Sequence, residues 1–183
     1  VFNSDGSEAD NCINGLRCIA FLYALNNEAI YIKDRKFVVR CTKSGAEVSG
    51  NLPTVNKNNN YYVINFGNNH IAREYPDIEL INLENEYVKL KDSKEFEGIK
   101  NFNFSIYQKS ENNIAIRTYE NGAGETLSCG SATISVACAL MEDTNENELL
   151  FSSRGGKTMV LKDNQSIKSQ ANAVILEQGF LNG

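Results

Sequence analysis

Two cysteines occupy matching positions in two distant segments of the chain. Residues 6–15 read GSEADNCING and residues 124–133 read GETLSCGSAT, so Cys12 and Cys129 each follow a glutamate by four residues. The small and apolar residues after each cysteine predict a helix that begins there. The first N–H groups of a helix are unpaired and its N-terminus is partly positive, so it binds carboxylates and favours a thiolate.

Two such helix starts, facing each other, would suit the inversion of a carbon stereocentre. One thiolate would remove the α-proton of a substrate that carries a carboxylate, and the opposite thiol would deliver a proton to the other face. The substrate carboxylate would lie between the backbone N–H groups of two residue pairs, Ile13 with Asn14 and Gly130 with Ser131. Donors fixed on that carboxylate stabilise the carbanion-like state. We therefore predict that Cys12 and Cys129 form an acid–base pair that shares one proton.

The two segments also match each other beyond the cysteines. At an offset of 117 residues, five further pairs align: Glu8 with Glu125, Asn14 with Ser131, Gly15 with Ala132, Ile19 with Val136, and Ala20 with Ala137. An internal repeat is the simplest interpretation. The alternative is that two amphipathic helices share small and apolar residues by chance.

Hydrophobic periodicity predicts an α+β fold. Helices are predicted at residues 11–25, 82–90 and 128–141, the first with an apolar stripe of Ile13, Leu16, Ile19, Ala20 and Tyr23. Strands are predicted at residues 37–42, 61–66, 149–152, 157–161 and 173–177, and a hairpin at residues 101–107 and 113–119. The asparagine-rich residues 51–60 are predicted to form a linker.

Composition narrows the class of protein. The chain has 183 residues, of which 42% are hydrophobic, and its net charge is −5, so no basic surface for nucleic acid is expected. No apolar run approaches the roughly 18 residues of a membrane span, and no lysine–arginine cluster suggests a membrane surface. The five cysteines are odd in number and widely spaced, and only one histidine is present, which disfavours a disulfide scaffold or a zinc site. We expect a cytoplasmic protein with reduced thiols and no metal, whose partner is a small-molecule substrate. The sequence is compatible with a homodimer.

Four segments resemble the diaminopimelate epimerase family. FNSDGSEADNCINGLRCIA (residues 2–20) is similar to its first signature and ENGAGETLSCGS (residues 120–131) to its second. FGNNH (residues 66–70) and NFNF (residues 101–104) resemble its histidine turn and its asparagine strand. The resemblance implies two pseudo-symmetric α+β halves, each a sheet wrapped around a central helix, with the site between them. It also implies a cofactor-independent isomerase that interconverts LL- and meso-2,6-diaminopimelate, a step of lysine and peptidoglycan precursor synthesis.

The resemblance implies roles for particular residues. Cys12 and Cys129 would be the acid–base pair, and Glu120 and His70 would orient the substrate amine or support the thiols. Asn3, Asn68 and Asn101 would hydrogen-bond the amino and distal groups of the substrate, with Asn121 at the distal end. The predicted domains are residues 1–56 for the remainder of the N-terminal half, residues 57–171 for the C-terminal half, and residues 172–183 for a strand that returns to the N-terminal half.

Some positions depart from the family pattern. Asn121 replaces an arginine whose guanidinium would grip the distal carboxylate in two parallel bonds, and Ile13 replaces a glycine, so its side chain would crowd or redirect the pocket. The opening strands and first helix of the family have no counterpart here, so we expect an incomplete N-terminal half. Three alternatives follow: a related racemase with another amino-acid substrate, an inactive or ligand-binding fragment, and a redox protein with a Cys12–Cys129 disulfide.

Several residues also have purely structural interpretations. Cys18, Cys41 and Cys138 lie in apolar patterns and are expected in the core. Glu8 and Glu125 are expected to cap or support the helix starts.

Overall fold

The computed structural model describes Gly6 and residues 8–176, which form three α-helices and twelve strands. The N-terminal elements are α1 (Ile13–Leu22), β1 (Asn26–Ile32), β2 (Arg35–Cys41) and β3 (Gly45–Asn51). They are followed by β4 (Thr54–Asn58), β5 (Tyr61–Asn65), β6 (Asn69–Glu74), α2 (Leu83–Lys91) and a 3-10 turn (Lys94–Phe96). The remaining elements are β7 (Phe102–Ser110), β8 (Asn113–Glu120), β9 (Gly124–Thr126), α3 (Gly130–Thr144), β10 (Glu148–Ser153), β11 (Gly156–Lys162) and β12 (Ser166–Asn172).

The strands form one continuous sheet that joins the two ends of the chain. Its order is β1-β2-β3-β12-β11-β10-β8-β7-β6-β5-β4, with β9 paired to β8. Neighbours are antiparallel except β6 with β7 and β8 with β10, which are parallel. The late strand β12 pairs with the early strand β3 over residues 166–172 and 45–51, so N-terminal and C-terminal strands share one ladder. The α+β prediction is confirmed.

Helix α3 is the central helix of the larger part of the sheet. Its sequence, GSATISVACALMEDT, is small and apolar on every face, and all side chains from Gly130 to Met141 are buried. A helix that is apolar all round must be enclosed, and strands from β4 to β12 pack around it. It ends at Asn145, whose φ of +60° is the left-handed conformation common at helix C-termini.

Helix α1 is amphipathic and packs one face on β2 and β3. Ile13, Leu16 and Ala20 are buried there, each at most 2% exposed, as the predicted stripe requires. The stripe is narrower than predicted, because Ile19 is 38% and Tyr23 68% exposed. A residue's place on the helix, and not its apolar character, decides whether it meets the sheet.

The predicted core location of the three other cysteines is only partly right. Cys138 is buried inside α3, Cys41 is partly buried at the end of β2, and Cys18 is exposed. Cys18 follows the buried Arg17 and precedes the exposed Ile19, so it lies on the outer face of α1 and the prediction for it is wrong.

The opposite face of the C-terminal strands packs on α2. Leu83, Tyr87 and Leu90 of this helix join a second core cluster with Phe102, Phe104, Ile71 and Ile106 of the strands. Asn82 caps the helix by accepting a hydrogen bond from the N–H of Asn85 at 3.0 Å. Strands β6 to β8 are therefore covered on both faces, by α2 on one side and by α3 on the other. The face toward α3 carries the polar residues of the candidate site.

Two predicted elements are wrong. Residues 51–60 do not form a linker, because β4 occupies Thr54–Asn58 and pairs with β5; the polar side chains fit an edge strand, which has one open side. The last strand is Ser166–Asn172 and not residues 173–177: residues 173–176 have no regular structure, and residue 177 lies outside the described part. The domain boundaries stay a prediction.

No helix among the described residues is both long enough and apolar enough to cross a membrane.

Candidate active site at two helix starts

Both candidate cysteines occupy the N-cap positions of helices, Cys12 for α1 and Cys129 for α3. Cys12 precedes α1 with φ −151° and ψ 80°, and Cys129 precedes α3 with φ −114° and ψ 109°. Neither helix has a side-chain hydrogen bond from its N-cap residue, and the first N–H groups of a helix have no acceptor within the helix. The matched cysteines of the sequence repeat therefore have the same local structure.

The two helix starts lie directly against each other. The side-chain amide of Asn14 donates a 3.0 Å hydrogen bond to the carbonyl of Ser128, the residue before Cys129. Gly130 approaches so closely that a methyl carbon on it would lie 2.8 Å from Cβ of Ile13 and 2.8 Å from Oδ1 of Asn14. The Ile13 side chain is 2% exposed and packs at this junction. The first turns of α1 and α3 thus line one small region of the molecule.

A buried arginine anchors this junction. Arg17 is 4% exposed; its Nη1 donates to Asn14 Oδ1 at 2.8 Å and its Nη2 donates to Ser169 Oγ at 2.7 Å. Burial lowers the pKa of Arg17 to about 10. This residue is absent from the predicted site, although its spacing of three from Asn14 on a helix puts both on one face.

Cys129 is buried among polar groups. It is 7% exposed, and its sulfur lies 3.4 Å from the hydroxyl of Ser131. Burial raises the pKa of the Cys129 thiol to about 12, and the negative charge of Glu120 adds to the rise. The Glu120 carboxylate is itself held by the hydroxyl of Thr126, which donates to Oε1 at 2.6 Å. Both effects favour the protonated Cys129 thiol at neutral pH.

His70, Asn103 and Glu120 form a row across three neighbouring strands. His70 pairs with Asn103 between β6 and β7, and Asn103 lies level with Glu120, one residue beyond the Phe104–Tyr119 pair of β7 and β8. His70 is fully buried, and burial lowers its pKa to about 3, so the imidazole is neutral. Asn103, which is absent from the predicted site, accepts a 2.9 Å hydrogen bond from the N–H of Asn121.

Three of the predicted asparagines, Asn68, Asn101 and Asn121, lie at the same end of the neighbouring strands β6, β7 and β8, whereas Asn3 lies outside the described residues. Asn68 directly precedes β6, and its Oδ1 lies 3.0 Å from Nε2 of His70. Asn101 precedes the neighbouring strand β7, is exposed, and has a φ of +55°. Asn121 follows β8, is exposed, and accepts a 2.9 Å hydrogen bond at Oδ1 from the hydroxyl of Tyr87. Asn68 and Asn101 directly precede two adjacent parallel strands, so the sheet brings these two distant residues of the sequence close together.

Glu125 does not cap α3, but it supports the turn before the helix, which is one of the two roles expected from the sequence. Its two carboxylate oxygens accept hydrogen bonds from Nε and Nη2 of Arg117 at 2.8 Å and 2.9 Å. Arg154 adds an ion pair at 3.1 Å. The bidentate pair, with Arg117 only 8% exposed, braces the turn that leads into Cys129.

The side chains that commonly bind metal ions do not cluster in the described part of the chain. Within residues 8–176, no three or more histidine, cysteine, aspartate or glutamate side chains converge in a way that could hold an ion.

Comparison with known proteins assigns the chain to a family. Residues 62–176, which carry β5 through β12 and Cys129, match the family model of diaminopimelate epimerase. The chain belongs to the diaminopimelate epimerase family. It is 32% identical over 170 residues to the diaminopimelate epimerase of Flavobacterium psychrophilum, covering 87% of this chain and 66% of that protein. It is 31% identical over 179 residues to the diaminopimelate epimerase of Buchnera aphidicola, covering 81% of this chain and 62% of that protein.

This chain spans slightly less than two thirds of the length of each of these two relatives. Among solved structures, it resembles a phenazine biosynthesis PhzC/PhzF protein from Clostridium difficile, with a TM-score of 0.72, 15% identity, and coverage of 98% of this chain and 76% of that chain. A PhzF-family phenazine biosynthesis protein from Bacillus anthracis gives a TM-score of 0.63 at 13% identity, covering 91% of this chain and 74% of that one. At these identities the similarity concerns the fold alone.

Proposed function

We propose that this chain is an amino-acid epimerase that interconverts LL- and meso-2,6-diaminopimelate by proton transfer between two thiols. The observation that carries the proposal is the junction of two helix starts, each preceded by a cysteine and joined by the Asn14–Ser128 hydrogen bond. Membership of the diaminopimelate epimerase family supports the choice of substrate. The reaction would supply lysine and peptidoglycan precursor synthesis.

The helix starts would bind the reacting carboxylate. The N–H groups of Ile13 and Asn14 in α1, and of Gly130 and Ser131 in α3, belong to the unpaired first turns. Their donors and the partial positive charges of both helices would fix the carboxylate and stabilise negative charge as the α-proton leaves.

The two thiols would share one proton. Burial and Glu120 keep Cys129 protonated, because they raise its pKa to about 12. Cys12, which is only partly buried, would then act as the thiolate that removes the α-proton from one face. The Cys129 thiol would donate its proton to the opposite face, so the enzyme ends with a Cys12 thiol and a Cys129 thiolate. Proton exchange with solvent, or the reverse reaction, restores the starting state.

Groups around Cys129 would bind the rest of the substrate. The Glu120 carboxylate, oriented by Thr126, has the charge to bind the substrate ammonium. His70 is neutral and buried, so it would orient neighbouring groups and would not carry charge. The three asparagines at the ends of strands β6 to β8, Asn68, Asn101 and Asn121, would bind the distal groups of the substrate.

Incorporation of α-deuterium from heavy water tests the proposal. The parent chain, kept reduced, should exchange the α-hydrogen of diaminopimelate and invert it. Cys12→Ala and Cys129→Ala should each abolish inversion, because each face needs its own acid or base. Cys18→Ala is the matched control, because Cys18 is exposed on the outer face of α1 and should leave the rate unchanged. A reduced, folded parent with neither exchange nor inversion would contradict the proposal.

A second candidate is a racemase for a different amino acid, and Asn121 favours it. Its side-chain oxygen is held by Tyr87, and an amide cannot form the two parallel charged bonds that arginine makes with a carboxylate. The test compares exchange of diaminopimelate with exchange of monocarboxylic amino acids. Much faster turnover of diaminopimelate would eliminate this second candidate.

A further inference from the structure

Asn11, the residue before Cys12, connects the start of α1 to the turn that carries Asn68. Its side-chain Nδ2 donates to the backbone carbonyl of Phe66 at 2.6 Å and to Oδ1 of Asn68 at 3.1 Å. Arg35 also donates to the Phe66 carbonyl. The two Asn11 contacts span 55 and 57 residues of sequence, so they fix where the Asn68 turn lies relative to Cys12.

The Phe66 carbonyl determines which way each amide in this chain of hydrogen bonds points. A backbone carbonyl only accepts, so the Asn11 atom beside it must be the NH2 group. The same NH2 group lies beside Asn68, so the Asn68 atom that meets it must be the oxygen. Reversing Asn68 would oppose two NH2 groups, and reversing Asn11 would oppose two oxygens at 2.6 Å. The Phe66 carbonyl can act only as a hydrogen-bond acceptor, and it therefore determines the orientation of Asn68 through Asn11.

His70 occupies the second lone pair of the same oxygen. Its Nε2 lies 3.0 Å from Asn68 Oδ1 and must carry the hydrogen, because the oxygen is an acceptor. The neutral state that burial imposes on His70 allows this tautomer. With both lone pairs of Oδ1 in use, the NH2 group is the end of Asn68 that can bind a ligand.

We propose that Asn11 is a positioning residue that, through Asn68, makes this part of the site a hydrogen-bond donor. Asn68 then recognises an acceptor, such as a carboxylate oxygen of the substrate, and does not bind its ammonium group. The inference rests on the proposed epimerase function, because it assigns a substrate group to that site. Its importance is greater in a chain that has Asn121 where the family has arginine, since neutral donors must then hold the acceptor.

Asn11→Asp is the sharpest variant, because it keeps the shape and removes the donor. A carboxylate at position 11 would repel the Phe66 carbonyl and would accept from Asn68, which turns the Asn68 oxygen toward the ligand. We expect KM for diaminopimelate to rise about tenfold or more with kcat changed less than threefold, as for loss of a binding contact. Asn11→Ala removes the constraint without reversing the amide and should raise KM about threefold to fivefold. Asn112→Asp, an exposed position in the β7–β8 turn, is the matched control for the added charge.

The experiment measures deuterium exchange and calorimetric binding of diaminopimelate for the parent, Asn11→Asp, Asn68→Ala and the double variant. If Asn11 acts through Asn68, the double variant should match Asn68→Ala in KM and Kd, because no amide remains to be turned. Equal KM and Kd in Asn11→Asp and the parent, or additive effects in the double variant, would overturn the inference. If Asn11→Asp does not fold, Asn11→Ala decides the outcome by the same comparison.

Failure of the proposed function gives a different result. A parent that binds diaminopimelate without exchanging its α-hydrogen would refute the reaction, while Kd of the variants still decides the role of Asn11. A folded parent that neither binds nor exchanges would overturn both proposals.

Discussion

Replacing Gly130 with alanine tests whether the two helix starts must touch. The new methyl carbon would lie 2.8 Å from Cβ of Ile13, whereas carbon atoms in contact are about 3.5–4.0 Å apart, so the helices must separate by about 0.7–1.2 Å. Cβ of Ile13 is fixed to its backbone, so no rotamer change relieves the contact. The hydrogen bond from Asn14 to Ser128 would lengthen from 3.0 Å beyond its normal range.

The expected cost is larger for activity than for stability. Overpacking destabilises by about 1–3 kcal/mol, and replacing glycine in a helix recovers up to about 1 kcal/mol, so we expect a net loss of about 0–2 kcal/mol. A displacement near 1 Å at a reacting site reduces the rate by about 100-fold. The assays are deuterium exchange with diaminopimelate and unfolding in urea.

Gly98→Ala is the control for this prediction. A methyl carbon on Gly98 meets nothing within 4 Å, so the rate and the unfolding midpoint should stay those of the parent. An exchange rate for Gly130→Ala within twofold of the parent would refute the idea that contact between the helix starts sets the reactive geometry.

Two further predictions follow from the buried titratable groups. Burial lowers the His70 pKa from 6.5 to about 3, so the unfolded chain binds a proton below about pH 6.5 that the native chain does not. The parent should therefore lose about 2 kcal/mol more stability than His70→Gln between pH 7 and pH 5, measured by urea unfolding; parallel pH profiles would contradict the neutral buried state. At pH 8, iodoacetamide should label the exposed Cys18 well before Cys129, as mapped by mass spectrometry. Glu120→Gln should speed labelling of Cys129 about threefold to tenfold, since the negative charge beside the sulfur is removed; an unchanged ratio to Cys18 would exclude that electrostatic effect.

The amino-acid sequence by itself determined the local structure at the two candidate cysteines. Cys12 precedes an apolar stripe and Cys129 precedes a run of small residues, and both are N-caps of helices in the structure. Local signals of this kind arise from side-chain size and from spacing of three or four residues, which a sequence displays directly.

Only the tertiary structure decided which side chains meet. Asn14 bonds to Ser128 across 114 residues, and Asn11 reaches Asn68 across 57, because the chain path brings those segments together. Polar residues such as Thr54–Asn58 carry no strong strand signal, yet a neighbouring strand gave them backbone partners. Periodicity likewise showed that α1 has an apolar stripe, while the position of β2 and β3 decided that Cys18 is left outside it. Contacts between distant residues depend on how the whole sheet packs, and no local pattern records that packing.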